Sequence, residues 1–167
     1  MISFYAYLLL IYMDTLGKED RSERMRRVRA KGNRSTELKF RMAITRRGIG
    51  GWKMHDRSLP GCPDFVFHEV KLAIFVDGCF WHGCPVSKRP LPVTNRVYWT
   101  NKVAYNITRS QQVDAELRSK GFEIMRVWEH SLRSRESVTR LLEELSERLQ
   151  ARNPAVNSSR RRQREHS

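Results

Sequence analysis

Hydrophobic and polar positions fall into blocks along this chain, and the period changes from block to block. Lys71-Leu72-Ala73-Ile74-Phe75-Val76-Asp77 is a short apolar run, rich in β-branched and aromatic residues and bounded by Gly78, which predicts a buried strand. Asp64-Phe65-Val66-Phe67 predicts another, with Lys71–Val76 as its antiparallel partner across His68-Glu69-Val70. Gly51–His55 reads as a short strand, and Asp56–Pro63 as a turn-rich loop carrying Pro60, Gly61 and Pro63. A helix is expected from Thr36 to Arg47, capped by Ser35 or Thr36, with Leu38, Met42 and Ile44 as its apolar face and Gly48 as its end.

Pro90 and Pro92 make Lys88–Asn95 an irregular connection. A long helix then spans Arg96–Lys120, with Tyr98, Val103, Ile107, Val113 and Leu117 in a loose helical period and Lys102, Asn106 and Arg109 on a polar side. Gly121 stops it. Phe122–Trp128 is a strand, and Ser137–Ala151 an amphipathic helix with Val138, Leu141, Leu142, Leu145 and Leu149 at core spacing, ended by Asn153-Pro154. No internal repeat is visible.

Composition narrows the partner. The chain has 167 residues, enough for one domain with a sizeable core, and carries a formal net charge of +14. A small protein this basic is built to meet a polyanion, with nucleic acid ahead of membrane. The charge is concentrated at the ends: Arg21, Arg24, Arg26, Arg27, Arg29 and Lys31 in one arm, Arg160–Arg162 and Arg164 in the tail. Met1–Tyr12 is apolar but too short to span a bilayer, and it has neither a basic n-region nor a cleavage site. Three cysteines cannot all pair, and two share a loop with a histidine. That points to a reducing compartment, hence the cytoplasm, and to a metal in place of a disulfide.

The densest chemistry is Gly78-Cys79-Phe80-Trp81-His82-Gly83-Cys84-Pro85, directly after the best strand. Cys79 and Cys84 are soft metal ligands, and His82 is either a ligand or a proton carrier at neutral pH. With His130, which follows the strand ending at Trp128 and so returns to the same end of the sheet, they make a Cys-x4-Cys…His zinc pattern. The plain alternative is a buried loop with inert thiols. Phe80 and Trp81 either pack in a core or stack on bases; Trp52 and Trp128 are assigned to packing. Asp64, at the mouth of its strand, is a hard oxygen ligand suited to Mg²⁺. Glu37, in a first helical turn, is accounted for by the helix dipole alone. Glu69 and Lys71 imitate an acidic-x-Lys nuclease pair, which is read as a coincidence of hairpin composition.

Asp77-Gly78-Cys79-Phe80-Trp81-His82-Gly83-Cys84-Pro85 resembles the central motif of the very short patch repair endonucleases, DNA mismatch endonucleases that nick beside a T:G mismatch. Arg21-Ser22-Glu23-Arg24-Met25-Arg26, Thr36-Glu37-Leu38, Leu59-Pro60-Gly61-Cys62-Pro63-Asp64-Phe65 and Val127-Trp128-Glu129-His130 match too, in order, over about Asp14–Leu149. The resemblance implies an α/β, restriction-endonuclease-like fold: a central mixed sheet flanked by helices, with a zinc-binding loop.

It implies catalytic Mg²⁺ on Asp64 and the main-chain carbonyl of Val76, His82 as general base or acid, and Glu37 holding water near the scissile phosphate. It implies structural Zn²⁺ on Cys79, Cys84 and His130. The family's fourth ligand falls where this chain has Val86 and Ser87, so His82, a water or nothing would complete the set. Phe80 and Trp81 match the family's intercalating pair and Trp99 its third ring, with helix-core packing open for Trp99; Arg24, Arg26 and Lys102 are the candidate DNA contacts.

Residues 1–12 are then an upstream stretch before a natural start at Met13, 13–33 a basic arm, 34–152 the endonuclease domain and 153–167 a basic tail. The expected partner is duplex DNA with a T:G mismatch, met by a monomer that works beside mismatch-repair proteins and does not touch membrane. Two other readings stay open: a restriction-type endonuclease without mismatch preference, and an inactive zinc-containing module that only binds nucleic acid.

Overall fold

The computed structural model describes residues 35–87 and 90–153. The proposed upstream stretch and basic arm, with Arg24 and Arg26, and all of the basic tail but Asn153 lie outside the described residues. Helix α1 covers 35–46. It is followed by strands β1 (Lys53–Met54), β2 (Phe65–Phe67) and β3 (Leu72–Asp77), helix α2 (Arg96–Ser119), strand β4 (Glu123–Trp128), a 3₁₀ turn (Glu129–Leu132) and helix α3 (Arg135–Arg152). The sheet order is β1-β2-β3-β4. β1, β2 and β3 pair antiparallel, while β3 and β4 pair parallel. A parallel pair needs a long crossover, and α2 supplies it.

All six residues of β3 are buried, which explains its unbroken apolar pattern: both faces of this central strand are covered. Leu72, Ile74 and Val76 pack with Phe40 and Ile44 of α1 and with Leu141, Leu142 and Leu145 of α3. Ala73 and Phe75 face the other way, against Leu117 of α2. Fully burying a side chain of the Phe or Leu class stabilises by about 1.5–3 kcal/mol, so these two layers fix where the ends of β2 and β3 sit. On β4, Arg148 and Arg152 of α3 both reach Glu123, and Arg152 Nε donates to the Val70 carbonyl at 2.6 Å.

Several sequence expectations need correcting. The buried face of α1 is Phe40 and Ile44, one helical turn apart, whereas Leu38 and Met42 are 47% and 42% exposed. Phe40 decides the rotation of α1 because its ring packs edge-on against Phe65 with centroids 5.1 Å apart. Tyr98 belongs to no apolar face either; it is 55% exposed near the start of α2. α3 begins two residues early, since Ser134 accepts from the Ser137 amide at 3.1 Å and caps it. The strand expected over Gly51–His55 is only Lys53–Met54. Among the described residues no helix is long and apolar enough to cross a membrane.

Candidate active site

Asp64 precedes β2, and its side chain reaches across to the neighbouring strand. β3 runs past the start of β2, so the Val76 amide has no strand partner there and donates instead to Asp64 Oδ2 at 2.7 Å. In an extended strand the carbonyl of a residue points to the same side as its amide, so the Val76 C=O turns toward Asp64 as well.

The antiparallel register sets Met54 opposite Phe65, and one residue further His55 stands opposite Asp64, its amide donating to the Asp64 carbonyl at 3.2 Å. His55 Nδ1 lies 3.9 Å from Asp64 Oδ1 and Nε2 lies 3.3 Å from Glu37 Oε2. Glu37 arrives from α1, one turn before the Phe40 that anchors the helix on Phe65. One ligand atom from each of Glu37, His55 and Asp64 lies within 4.8 Å of the others.

Burial pushes the Asp64 carboxyl up to about 6, with Glu37 and Asp77 adding repulsion, against the opposing effects of the Val76 amide and His55. A carboxylate so poorly solvated beside a second one is short of a cation. Its oxygens with Glu37 fit a hard divalent ion; His55 adds a nitrogen that Mg²⁺ does not prefer. Sequence reasoning missed His55. The signal was there in the pairing of two predicted strands, since the residue after Met54 must face the residue before Phe65. His55 also sits at φ +49°, an uncommon backbone for a residue with a side chain.

The loop after β3 folds back on α2. Gly83 has φ +61°, and a Cβ there would lie 2.7 Å from Ile107 Cδ1, so both backbone and space require glycine. Asn106 Nδ2 donates to the Trp81 carbonyl at 2.9 Å, a second tie that the polar side of α2 did not reveal as such. His82 Nδ1 is 3.4 Å from Ser110 Oγ and 3.7 Å from Asp77 Oδ1. Asp77 is 4% exposed and is bound by Arg126, whose Nη1 donates to Oδ2 at 2.5 Å while Nη2 donates to Asp114 Oδ1 at 2.6 Å. Burial works against the Arg126 charge, but Asp114 and Asp77 outweigh it and hold the guanidinium above its usual value. A cavity of about 210 Å³ opens here, lined by Asp77, His82, Asn106, Arg109 and Arg126 among others.

Phe80, Trp81 and Trp99 form one cluster, with ring centroids 5.1, 5.7 and 5.8 Å apart pairwise. None belongs to either hydrophobic core, so Trp99 is not helix-core packing; it meets Tyr98 at 5.1 Å as well. Lys102, one turn on, lies 5.1 Å from the Tyr105 ring. Trp52, by contrast, packs on the core, edge-on to Phe65, and Trp128 is half-buried beside the His82 loop.

Parallel pairing sets Asp77 beside Trp128, so the chain leaves β3 and β4 at the same end of the sheet. His130 Nδ1 accordingly lies 3.3 Å from both Cys79 Sγ and Cys84 Sγ. Two soft sulfurs and an imidazole nitrogen are a zinc donor set, and the edges are near the roughly 3.5 Å implied by tetrahedral Zn–S and Zn–N bonds. His82 is not among these donors. Burial pushes the Cys79 thiol up; burial also opposes the Cys84 thiolate, but contacts from Ser87, Val86 and Cys79 more than offset it. Asp56, which Ser58 and His68 hold far below the usual carboxylate range, pins the loop leading to Asp64.

Comparison with known proteins identifies the family. Residues 13–88 match the family model of the DNA mismatch endonuclease Vsr. The chain is similar to the DNA mismatch endonuclease Vsr of Escherichia coli (strain K12), 36% identical over 132 residues that cover 78% of this chain and 83% of that protein. It is 36% identical over 119 residues to the type II nicking enzyme V.XorIIP of Xanthomonas oryzae pv. oryzae, covering 71% of this chain and 86% of the relative. A shorter match, 47% identical over 68 residues, links it to the type II nicking enzyme V.NaeI of Lentzea aerocolonigenes, over 41% of this chain and 40% of that one. The chain belongs to the Vsr family of DNA mismatch endonucleases.

Proposed function

We propose that this endonuclease nicks one strand of duplex DNA next to a T:G mismatch, by Mg²⁺-dependent hydrolysis of a phosphodiester at Asp64, on a restriction-endonuclease-like scaffold. The observation that carries the reading is the convergence of Asp64, Glu37 and His55 beside the Val76 main chain, two residues before a loop that carries part of a cluster of aromatic rings.

Asp64 and the Val76 carbonyl would hold the Mg²⁺, which supplies charge neutralisation at the scissile phosphate when bound. Glu37 would orient water near the scissile phosphate. His82 keeps Nδ1 toward Ser110 and Asp77, which leaves Nε2 to take or give a proton at the phosphate. Asp77, clamped by Arg126, steadies that ring orientation. Phe80, Trp81 and Trp99 enter the duplex where a mispaired step costs least to unstack, and Lys102, with Arg24 and Arg26 of the arm, meets phosphates. Cys79, Cys84 and His130 would hold a structural Zn²⁺ that ties the loop to the end of β4.

The test is a nicking assay on a T:G duplex and its paired counterpart, with and without Mg²⁺. Mg²⁺-dependent nicking of one strand of the mismatched duplex is expected. Equal cleavage of both duplexes would make the protein a restriction-type enzyme, and binding without cleavage would leave only a nucleic-acid-binding module.

A further inference from the structure

Among the described residues one buried side-chain oxygen or nitrogen lacks a hydrogen-bond partner: Ser87 Oγ. A hydroxyl desolvated in this way is normally satisfied by protein or water, so an orphan asks for a ligand. Its surroundings name one. The Ser87 amide donates to Cys84 Sγ at 3.4 Å, which holds residue 87 beside that sulfur. The three donors Cys79 Sγ, Cys84 Sγ and His130 Nδ1 are mutually within 4.8 Å, three corners of a tetrahedron. Among the described residues no second histidine is directed there, because His82 Nδ1 turns to Ser110 and Asp77. Val86 is 71% exposed and has no side-chain donor.

We infer that Ser87 Oγ is the fourth ligand of a Cys79–Cys84–His130–Ser87 zinc centre. This rests on the reading of the first three residues as a metal site. A hydroxyl is a weak donor to Zn²⁺ beside thiolate or imidazole, so this centre holds its ion less tightly than a Cys₂His₂ or Cys₃His one and exchanges it faster. Two thiolates, a neutral imidazole and a neutral hydroxyl also leave the Zn²⁺ complex without net charge.

The experiment uses the full chain without an affinity tag, titrated with Co²⁺ as a spectroscopic probe and then with Zn²⁺ against a competing chelator. Wild type is expected to bind one ion with tetrahedral Co²⁺ absorption and charge transfer from two thiolates. Ser87→Ala should alter the Co²⁺ bands and weaken Zn²⁺ affinity by at least the roughly 10–100-fold that loss of a mere outer-shell partner costs. Ser87→Cys should bind more tightly and add a third thiolate to the charge-transfer band, which keeps the inference testable if the alanine variant does not fold. Ser87→Ala with wild-type affinity and spectrum, or Ser87→Cys without the third thiolate, would overturn Ser87 while leaving the three-residue centre standing. A folded wild type that binds no Co²⁺ or Zn²⁺ would overturn both.

Discussion

Asp64→Asn should abolish nicking and, unusually for a change at a half-buried polar residue, make the metal-free protein more stable. The Asp64 side chain is 18% exposed, and burial pushes its carboxyl up to about 6, above the ordinary carboxylate range. At 1.36 kcal/mol per pKa unit, ionising Asp64 in the fold costs up to about 3 kcal/mol relative to the unfolded chain. The sign follows from proton counting. Between about pH 4 and pH 6 the native state holds the Asp64 proton more tightly than the unfolded state, so stability is lost as pH rises through that window.

Above it the full penalty stands; below about pH 4 there is none. Asparagine keeps an oxygen for the Val76 amide and carries no charge. In EDTA at pH 8 the variant should therefore melt several degrees higher than wild type, by about 2–4 °C for each kcal/mol in a chain of this size, and the two should converge below pH 4. Mg²⁺ should raise the melting temperature of wild type only. Equal melting temperatures at pH 8, a gain that persists below pH 4, or Mg²⁺-dependent nicking by the variant would each refute the reasoning.

Three other perturbations separate the parts of the site. His82→Ala should lower the nicking rate by roughly 10²–10⁴-fold with the melting temperature and metal content unchanged, as expected for a proton carrier. Trp81→Ala should cost about 1–3 kcal/mol of binding to the mismatched duplex and little on paired DNA at one fixed salt concentration; equal losses on both would reduce Trp81 to packing. Arg126→Met strands the buried Asp77 and partly buried Asp114 without a counter-charge, so it should destabilise the fold by about 3–5 kcal/mol in chemical denaturation.

The elements were legible in the sequence because their signals were strong and local. The apolar run of β3 and the leucines of α3 needed no tertiary knowledge, and Gly121 marks the end of α2 with φ +82°. What failed was the choice between competing stripes on one helix. Leu38 and Met42 looked as apolar as Phe40 and Ile44, and only the ring of Phe65, brought by β2, breaks the tie. The site divides the same way. The meeting of Cys79, Cys84 and His130 followed from knowing that two strands end at one edge of the sheet. His55, Asn106 and Arg126 stayed hidden because their roles come from pairing register and from a helix crossing a loop, which no local pattern encodes.

The parallel pairing of β3 with β4 has a kinetic consequence. Cys79 and His130 are separated by 51 positions, and everything between them, α2 included, must be in place before they touch. Non-local pairings of this kind close late, since chain entropy is lost before any contact rewards it. A partly folded chain thus carries two thiols in its loop without the imidazole beside them, and its sulfurs are open to oxidation. The Cys79–Cys84–His130 cluster is therefore assembled only in chains whose β4 has found its parallel neighbour.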